Sequence, residues 1–234
     1  MILKKWEDLP EEMRNDEVRH YYDILNKKRM SLVLKRVFDI VVSVILLIAL
    51  SPLFLILSIA IKIDSKGPVF YRQIRMTQYN RQFRIFKFRS MVQDADKGSL
   101  VTLNRDARIT RIGKVIRACR LDEISQLIDV LRGTMTFVGT RPEVPKYTHH
   151  YTHEMMATLL LPAGITSLAS IYYKDEAELL NGADNADEVY IGQILPEKMK
   201  YNLKWLEDFS FWKDIKIMLM TVLAMLGKDY TPEE

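Results

Sequence analysis

The sequence has little cysteine and lacks several motifs that would fix its function class. Of its 234 residues only Cys119 is a cysteine, which excludes an internal disulfide framework and is typical of a reducing compartment. We interpret Cys119 as structural, because no partner base accompanies it in the sequence. No glycine-rich phosphate loop, internal repeat or low-complexity tract is present. The first thirty residues lack the apolar stretch of a signal peptide, which predicts that there is no cleavable leader.

The positive charge is small in total but concentrated in one segment. The formal net charge is +4, yet thirteen Lys and Arg residues lie between Tyr71 and Arg120, against only three acids. The segment from Asp175 to Glu188 is acidic instead. A basic field of this kind is suited to a polyanionic ligand, and charge alone leaves nucleic acid, anionic lipid and diphosphate open. The 48% hydrophobic content is enough for a buried core.

Two adjacent carboxylates, Asp122 and Glu123, follow the basic segment. The cations before them recur every third residue, at Arg108, Arg111, Lys114, Arg117 and Arg120. Apolar residues after them, from Ile124 to Leu131, have helical spacing, and Gly133 marks the end of that helix. The spacing predicts that the acid pair lies on the first helical turn, where the helix dipole and nearby guanidinium groups favour ionised carboxylates. A purely structural first-turn pair is the alternative.

An uncharged segment from Ile40 to Ile61 is long enough to cross a bilayer, at roughly 33 Å if helical throughout. Pro52 near its middle predicts a kink, and Ser51 is placed to satisfy a freed carbonyl. Both flanks are basic, with Lys27, Lys28, Arg29, Lys35 and Arg36 before the segment and Lys62, Lys66, Arg72 and Arg75 after it. Positive charge at both ends favours a re-entrant helix-break-helix with both ends in the cytoplasm, and a kinked spanning helix is the alternative.

The remaining segments predict a mixed α/β domain. Short strands are expected at 69–74 and 82–88 around a turn at Tyr79-Asn80, with Arg84, Lys87 and Arg89 available to anions. A short helix is expected from Ile112 to Cys119, a strand at 136–139, and a turn that presents Arg141. We interpret 93–104 and 162–166 as loops and 175–194 as an acidic lid or helix.

Three further segments have predictions of their own. Residues 1 to about 30 predict a surface helix that begins near Pro10 and runs through Leu25. His149, His150 and His153 lack the cysteine or carboxylate partners of a zinc site, so we interpret them as solvated. The apolar run Ile215–Leu226 favours either an interfacial helix or a buried core helix, which the sequence leaves open.

Taken together, these blocks resemble the bacterial sugar transferases, also called monotopic phosphoglycosyl transferases. The resemblance runs from about Lys35 to Leu226. It rests on the ordered blocks Lys35–Asp39, Ser51-Pro52, Gly67–Gln73, Lys87–Met91, Arg108–Gly113, Arg117, Leu121–Glu123 with Gln126, Phe137–Glu143 and Ser210–Lys216.

The resemblance implies a re-entrant membrane helix broken at Ser51-Pro52 and an enzyme on the cytoplasmic face of the bacterial inner membrane. Its implied reaction moves a sugar-1-phosphate from a nucleotide-sugar, UDP by family resemblance, to polyprenyl phosphate. Magnesium is the implied cofactor, and the intermediate is a phosphosugar bound covalently to Asp122. We expect Asp122 to be nucleophile and metal contact, Glu123 to orient the metal or manage charge, and Lys87, Arg89, Arg117 and Arg141 to bind phosphates.

The chain departs from the family pattern at three places. Ser125 replaces a usual proline, Thr77 replaces a common glycine, and the segment Pro162–Ser167 differs from the family's Arg-Pro-Gly-Ile-Thr-Gly. We interpret the last segment as a donor-recognition loop. Its change leaves open a catalytically weakened relative that acts as a membrane-bound assembly or regulatory subunit.

The predicted fold class is α/β, mostly helical with a small antiparallel β element. The predicted organisation is a charged extension at 1–34, a re-entrant membrane helix pair at 35–64, a catalytic domain with interfacial helices at 65–226 and a tail at 227–234. A third reading, a basic nucleic-acid binder, would require aromatic stacking platforms among the cations, and we expect no nucleic-acid partner. A homo-oligomer is left open.

Overall fold

The fold is mostly helical, as expected. The computed structural model describes residues 2–93, 108–173 and 185–230. The α-helices are α1 Asp16–Lys27, α2 Arg29–Ala49, α3 Ser51–Asp64, α4 Arg111–Ala118, α5 Leu127–Arg132, α6 Pro145–Thr148, α7 Leu168–Tyr172, α8 Ala186–Val189, α9 Leu195–Glu207 and α10 Phe211–Met225. Short 3-10 helices lie at Trp6–Asp8, Glu11–Met13, Gln78–Asn80, Ile124–Gln126 and Met155–Leu160, and a π-helical turn at Tyr190–Ile194 joins α8 to α9.

Within the described residues, the strands form three two-stranded ladders rather than one hairpin. They are β1 Phe70–Tyr71, β2 Ile74–Thr77, β3 Arg81–Arg84, β4 Lys87–Phe88, β5 Met135–Val138 and β6 Ala163–Thr166. The two predicted strands are each split, so that β1 pairs with β4 and β2 with β3, both antiparallel. The turn at Tyr79-Asn80 is confirmed, and both residues adopt positive φ angles of 60° and 52°.

The prediction of a loop at 162–166 is wrong, because that segment contains strand β6. It pairs with β5 in parallel, with Thr136 opposite Gly164. A side chain at Gly164 would collide with the backbone of Gly139, so this close strand contact requires glycine. The β structure is therefore antiparallel in two ladders and parallel in the third.

The N-terminal helix α1 lies at the surface as predicted, but it begins at Asp16 rather than near Pro10 and one of its faces is buried in the core. Tyr22 and Leu25 on α1 are buried, and so are Met13 before it and Val18 within it. They join the main core together with residues of β5, β6 and α9. The predicted boundary at residue 34 therefore separates segments that share one core.

Pro52 produces the predicted break. Helices α2 and α3 are bent by 61° at this point. Proline cannot donate a backbone hydrogen bond, and the Ser51 hydroxyl donates instead to the carbonyl of Ile48, at 2.8 Å. Within the described ranges, no single helix is long and apolar enough to cross a bilayer, whereas the bent pair has the necessary combined length and composition.

Among the flanking cations, Lys35 and Arg36 hold helix α2 against its neighbours. The ammonium group of Lys35 is buried and donates to Asp214 at 2.6 Å and to the Val138 carbonyl at 2.7 Å. The guanidinium group of Arg36 donates to the carbonyls of Val130 and Leu131. These contacts fix α2 against β5, α5 and α10. Because Asp214 neutralises Lys35, this ammonium group adds less positive charge to the segment before Ile40 than the sequence count suggests.

Many apolar side chains on α2, α3 and α10 remain exposed, and we call them together the apolar surface. It consists of Val33, Leu34, Val37, Ile40, Val41, Val44, Ile45, Ile48, Leu55, Ile56, Ile59, Ile63, Trp212, Leu219, Val222, Leu223 and Met225. On α10 only Asp214 and Ile217 are buried, and Trp212 is 76% exposed. The alternative of a buried core helix for the C-terminal apolar run is therefore wrong.

Candidate active site

The acid pair lies in the turn between α4 and the 3-10 helix Ile124–Gln126, one step before the predicted helical turn. Helix α5 itself ends as predicted at Gly133, whose φ of 82° is left-handed. The turn is fixed on β4, because the Phe88 amide donates to the Asp122 carbonyl at 3.1 Å. The Ser125 hydroxyl lies 3.0 Å from the Phe86 carbonyl and 3.2 Å from that of Asp122. The residue that replaces the family's proline thus also holds the turn.

Glu123 is the anionic centre of the site. Its Oε1 atom accepts hydrogen bonds from Arg141 Nη2 at 2.8 Å and from Lys87 Nζ at 3.4 Å. Burial opposes ionisation of this carboxyl, but the charges of Arg141 and Lys87 outweigh it and lower its pKa to about 2. Glu123 is therefore ionised under all ordinary conditions and holds two cations beside Asp122.

Asp122 has the opposite electrostatic environment. Burial raises the pKa of its carboxyl, the charge of Lys87 lowers it, and the neighbouring Glu123 raises it again. The prediction of an ionisation-favouring site therefore holds for Glu123 and is wrong for Asp122. Burial also lowers the pKa of Lys87, although Glu123 opposes that shift. The site therefore places a carboxyl and an amine close together, and burial makes it costly to charge either of them. Such perturbed groups are common at functional sites.

The cations predicted to bind phosphates divide into two groups. Lys87 and Arg141 reach Glu123 directly, and Arg117 on α4 acts on Asp122 through its charge. Arg89 is elsewhere: it is buried and donates to the carbonyls of Lys66 and Ser65, which end helix α3. Because these carbonyls occupy its guanidinium, Arg89 supports the helix end and is not brought to the acid pair.

Arg120 belongs to the site although we did not select it from the sequence. It is exposed beside Glu123, lowers the pKa of that carboxyl through its charge, and has a positive φ of 51°. Positive φ is uncommon for arginine and often marks a functional turn. Its place in the three-residue cation spacing was the available signal.

A second buried cluster supports the Arg141 turn. The Tyr190 hydroxyl donates to Glu143 Oε1 at 2.6 Å and accepts from Lys198 Nζ at 3.1 Å. On the other side of the turn, Arg75 Nη1 donates to the Pro142 carbonyl at 3.0 Å. These residues come from segments far apart in sequence, so no local pattern could identify them. Residues 175–184 of the predicted acidic lid lie outside the described residues, and so do residues 94–104 of the predicted loop.

A cleft of about 520 Å³ lies beside Glu123, and we call it the apolar cleft. Its charged lining residues are Arg120, Glu123 and Arg141. Its walls include Leu46, Leu50, Ile165, Ile171, Ala224 and Met225. The cleft therefore connects the charged centre to the break between α2 and α3 and to helix α10.

Other predicted features are peripheral. His149, His150 and His153 are exposed, as expected of solvated histidines. Cys119 is an exposed free thiol, so the interpretation of it as structural is wrong. Across residues 2–93, 108–173 and 185–230, no group of three His, Cys, Asp or Glu side chains is close enough to enclose a metal ion.

The family model for bacterial sugar transferases matches residues 30–228. The chain belongs to this family. The segment before residue 30, which includes α1, lies outside the matched region, and the acid pair and its cations lie inside it.

Three similar relatives of this bacterial sugar transferase have curated names. The chain is 38% identical over 196 residues to an undecaprenyl-phosphate glucose phosphotransferase of Komagataeibacter xylinus, covering 80% of this chain and 35% of that protein. It is 34% identical to the UDP-N-acetylgalactosamine-undecaprenyl-phosphate N-acetylgalactosaminephosphotransferase of Aeromonas hydrophila, covering 82% and 44%. It is 32% identical to the UDP-glucose:undecaprenyl-phosphate glucose-1-phosphate transferase of Caulobacter vibrioides, covering 83% and 70%. The chain thus spans less than half of the first two, and the names give two different sugars.

Proposed function

We propose that the protein is a phosphoglycosyl transferase that moves a sugar-1-phosphate from a UDP-sugar to undecaprenyl phosphate. The observation that carries the proposal is the grouping of Asp122 with an ionised Glu123 and the cations Lys87 and Arg141. Family membership and the relatives' names support the same reaction class. Phosphoryl transfer depends on positioning and charge neutralisation, which this grouping can supply.

The reaction proceeds in two displacements at one phosphorus atom. A carboxylate oxygen of Asp122 bonds to the sugar-bearing phosphorus of the donor, and the bond from that phosphorus to UMP breaks, with the electron pair leaving on UMP. A phosphate oxygen of the acceptor then bonds to the same phosphorus, and the bond to Asp122 breaks. The products are the undecaprenyl diphosphate sugar, UMP and the regenerated carboxylate.

The other residues of the site position the cations and neutralise the charge of the substrate phosphates. Glu123 holds Lys87 and Arg141 in place, and these two cations with Arg117 and Arg120 neutralise the phosphate oxygens. Attack requires the ionised carboxylate of Asp122; burial raises the pKa of this carboxyl, and the charges of Lys87 and Arg117 oppose that shift. Arg89 has no phosphate-binding role in this proposal.

Magnesium fits the donor set if the substrate completes the site. Mg²⁺ usually takes one or two protein carboxylates and fills its other positions with water and substrate phosphates. Within the described residues the Asp122 carboxyl receives no hydrogen bond from another side chain, so it has capacity for a cation. Asp122 would hold the ion, which neutralises the diphosphate of the donor and stabilises the leaving group.

We place the protein at the cytoplasmic face of the bacterial inner membrane, with α2 and α3 as a re-entrant pair and α10 at the interface. The apolar surface supports this placement, since soluble monomers rarely expose so many large apolar side chains on neighbouring helices. Labelling can separate re-entrant from spanning topology. In a Cys119→Ser background, Met30→Cys and Ile63→Cys would both react with an impermeant maleimide from the cytoplasmic side only. Reaction from opposite sides would indicate a spanning pair.

The reaction is tested with protein in nanodiscs, a panel of UDP-sugars and undecaprenyl phosphate. We expect Mg²⁺-dependent release of UMP and a matching lipid-linked sugar for one donor, both lost on EDTA treatment. Asp122→Asn is the control. If no donor gives either product, the second candidate, a catalytically weakened assembly subunit, is favoured by the altered segment Pro162–Ser167.

A further inference from the structure

The apolar cleft has the properties of a site for an isoprenoid chain. We propose that the first units of the acceptor's polyprenyl chain lie in this cleft, with the acceptor phosphate at Arg120 and Arg141, so that the unusual segment around β6 contacts the acceptor rather than the donor. This inference rests on the proposed function and adds the location of the lipid and the residues that select it.

The polar groups along the cleft walls are already engaged with one another. The hydroxyls of Thr166 and Thr221 are 2.7 Å apart and join β6 to α10, and the Thr221 hydroxyl also reaches the Ile217 carbonyl at 2.8 Å. The Ser170 hydroxyl lies 3.0 Å from that of Ser167. A uridine or sugar site needs polar groups directed at the ligand. These walls present mainly carbon atoms, which suits a hydrocarbon chain.

The lining of the cleft combines charge and apolar surface, as a lipid phosphate requires. Arg120 and Arg141 line it beside Glu123, where a phosphate would be neutralised. Leu46 and Leu50 also line it, and the neighbouring Ile45 and Ile48 belong to the apolar surface. The cleft and the apolar surface therefore share helix α2, which suits a chain that enters the cleft from the bilayer.

The location of β6 explains why its sequence bears on the acceptor. Ile165 lies in β6 and Ile171 lies in α7, and both face the cleft. Lys87 and Arg117 do not line the cleft but act on Asp122 from elsewhere, which leaves their side of the carboxyl for the donor diphosphate. The two substrates would then approach the same phosphorus from different sides.

The first experiment measures the location of the lipid without requiring turnover. A photoreactive farnesyl phosphate carrying a terminal benzophenone is crosslinked to the whole protein in nanodiscs, and the labelled peptides are sequenced. We expect label on the peptides that contain Ile171 and Met225, reduced by excess undecaprenyl phosphate and not by UDP-sugar. Label confined to other parts of the chain, or competition by UDP-sugar alone, would overturn the proposal.

The second experiment separates the two half-reactions. Ala224→Trp fills the cleft from α10, and Val222→Trp places the same ring on the outer face of that helix as the matched control. We expect Ala224→Trp to form the sugar-phosphate adduct within about twofold of the wild-type rate while its KM for undecaprenyl phosphate rises at least tenfold. Val222→Trp should change neither quantity.

Slower adduct formation with an unchanged acceptor step would instead identify the cleft as a donor site and refute the inference. Failure of the proposed function looks different, because wild-type protein would then form neither adduct nor product. In that case crosslinking at Ile171 and Met225 would still support lipid phosphate binding, and crosslinking elsewhere would exclude it.

Discussion

Replacing Glu123 by glutamine removes the charge that organises the site while nearly preserving its volume. The pKa of Glu123 is about 2 against 4.5 for an ordinary glutamate, because Arg141 and Lys87 outweigh the effect of burial. The difference of about 2.5 units corresponds to about 3 kcal/mol at 1.36 kcal/mol per unit. The Arg141 side chain is 38% exposed, so solvent screening reduces the expected loss to about 1.5–3 kcal/mol. This predicts a fall in Tm of about 3–12 °C for a chain of this size.

The pH dependence of that loss has a definite sign. A carboxyl whose pKa is lowered by folding stabilises the protein fully above its ordinary pKa, and this contribution is lost as the pH falls from about 4.5 towards 2. The difference in Tm between wild type and Glu123→Gln should therefore be present at pH 7 and shrink below pH 4.5. Differential scanning fluorimetry in one detergent across this range measures it.

The same variant should change the alkaline side of the activity profile. Glu123 counteracts the effect of burial on Lys87, so its removal should lower the pKa of Lys87 further. The rate of adduct formation should then decline at a lower pH than in wild type. Glu197→Gln, in an exposed pair with Lys200, is the control and should change Tm by less than about 1 °C. An unchanged alkaline limb, or an equal loss of Tm at pH 7 and pH 3, would show that Glu123 does not hold these cations through its charge.

Three further variants test other parts of the site. Asp122→Asn should abolish turnover without lowering Tm at pH 7, since burial raises the pKa of Asp122 and makes its charge costly to stability; a lower Tm would contradict this account. Arg89→Met should lower Tm by several degrees and leave the KM for the UDP-sugar unchanged, because the guanidinium holds the end of α3 and not the donor; a raised KM would restore its predicted phosphate role. Tyr190→Phe removes the hydroxyl between Glu143 and Lys198 and should cost about 1–3 kcal/mol in chemical unfolding, whereas a loss below 0.5 kcal/mol would show that the cluster is not coupled.

Local sequence signals predicted the elements that local chemistry determines. The break at Pro52, the turn at Tyr79-Asn80, the helix end at Gly133 and the strand before Arg141 all follow from residues whose backbone preferences are strong. The prediction of Glu123, Lys87 and Arg141 as one site came from the ordered motifs of the family.

The errors concern contacts between segments distant in the chain. Strand β6 has few strand-forming residues, and it forms because Gly139 and Gly164 allow a close approach to β5. Helix α1 contains many charged residues, so its composition does not reveal that one of its faces is buried. The basic motif around Arg89 does not reveal that the carbonyls of α3 occupy that side chain.

The opposite pKa shifts of the two acids also depend on tertiary structure. Asp122 and Glu123 are adjacent and chemically similar, yet only Glu123 accepts hydrogen bonds from Arg141 and Lys87. Sequence could place both acids near cations but could not decide which carboxyl the cations would hold.

The most direct test of the account is intact mass spectrometry of the protein with Mg²⁺ and a UDP-sugar, in the absence of lipid acceptor. We predict a mass increase equal to one sugar phosphate, located on Asp122 by peptide mapping, absent in Asp122→Asn and discharged by undecaprenyl phosphate. Transfer to the lipid by an enzyme that never carries this mass, or an adduct that persists in Asp122→Asn, would contradict the assignment of Asp122 as the nucleophile.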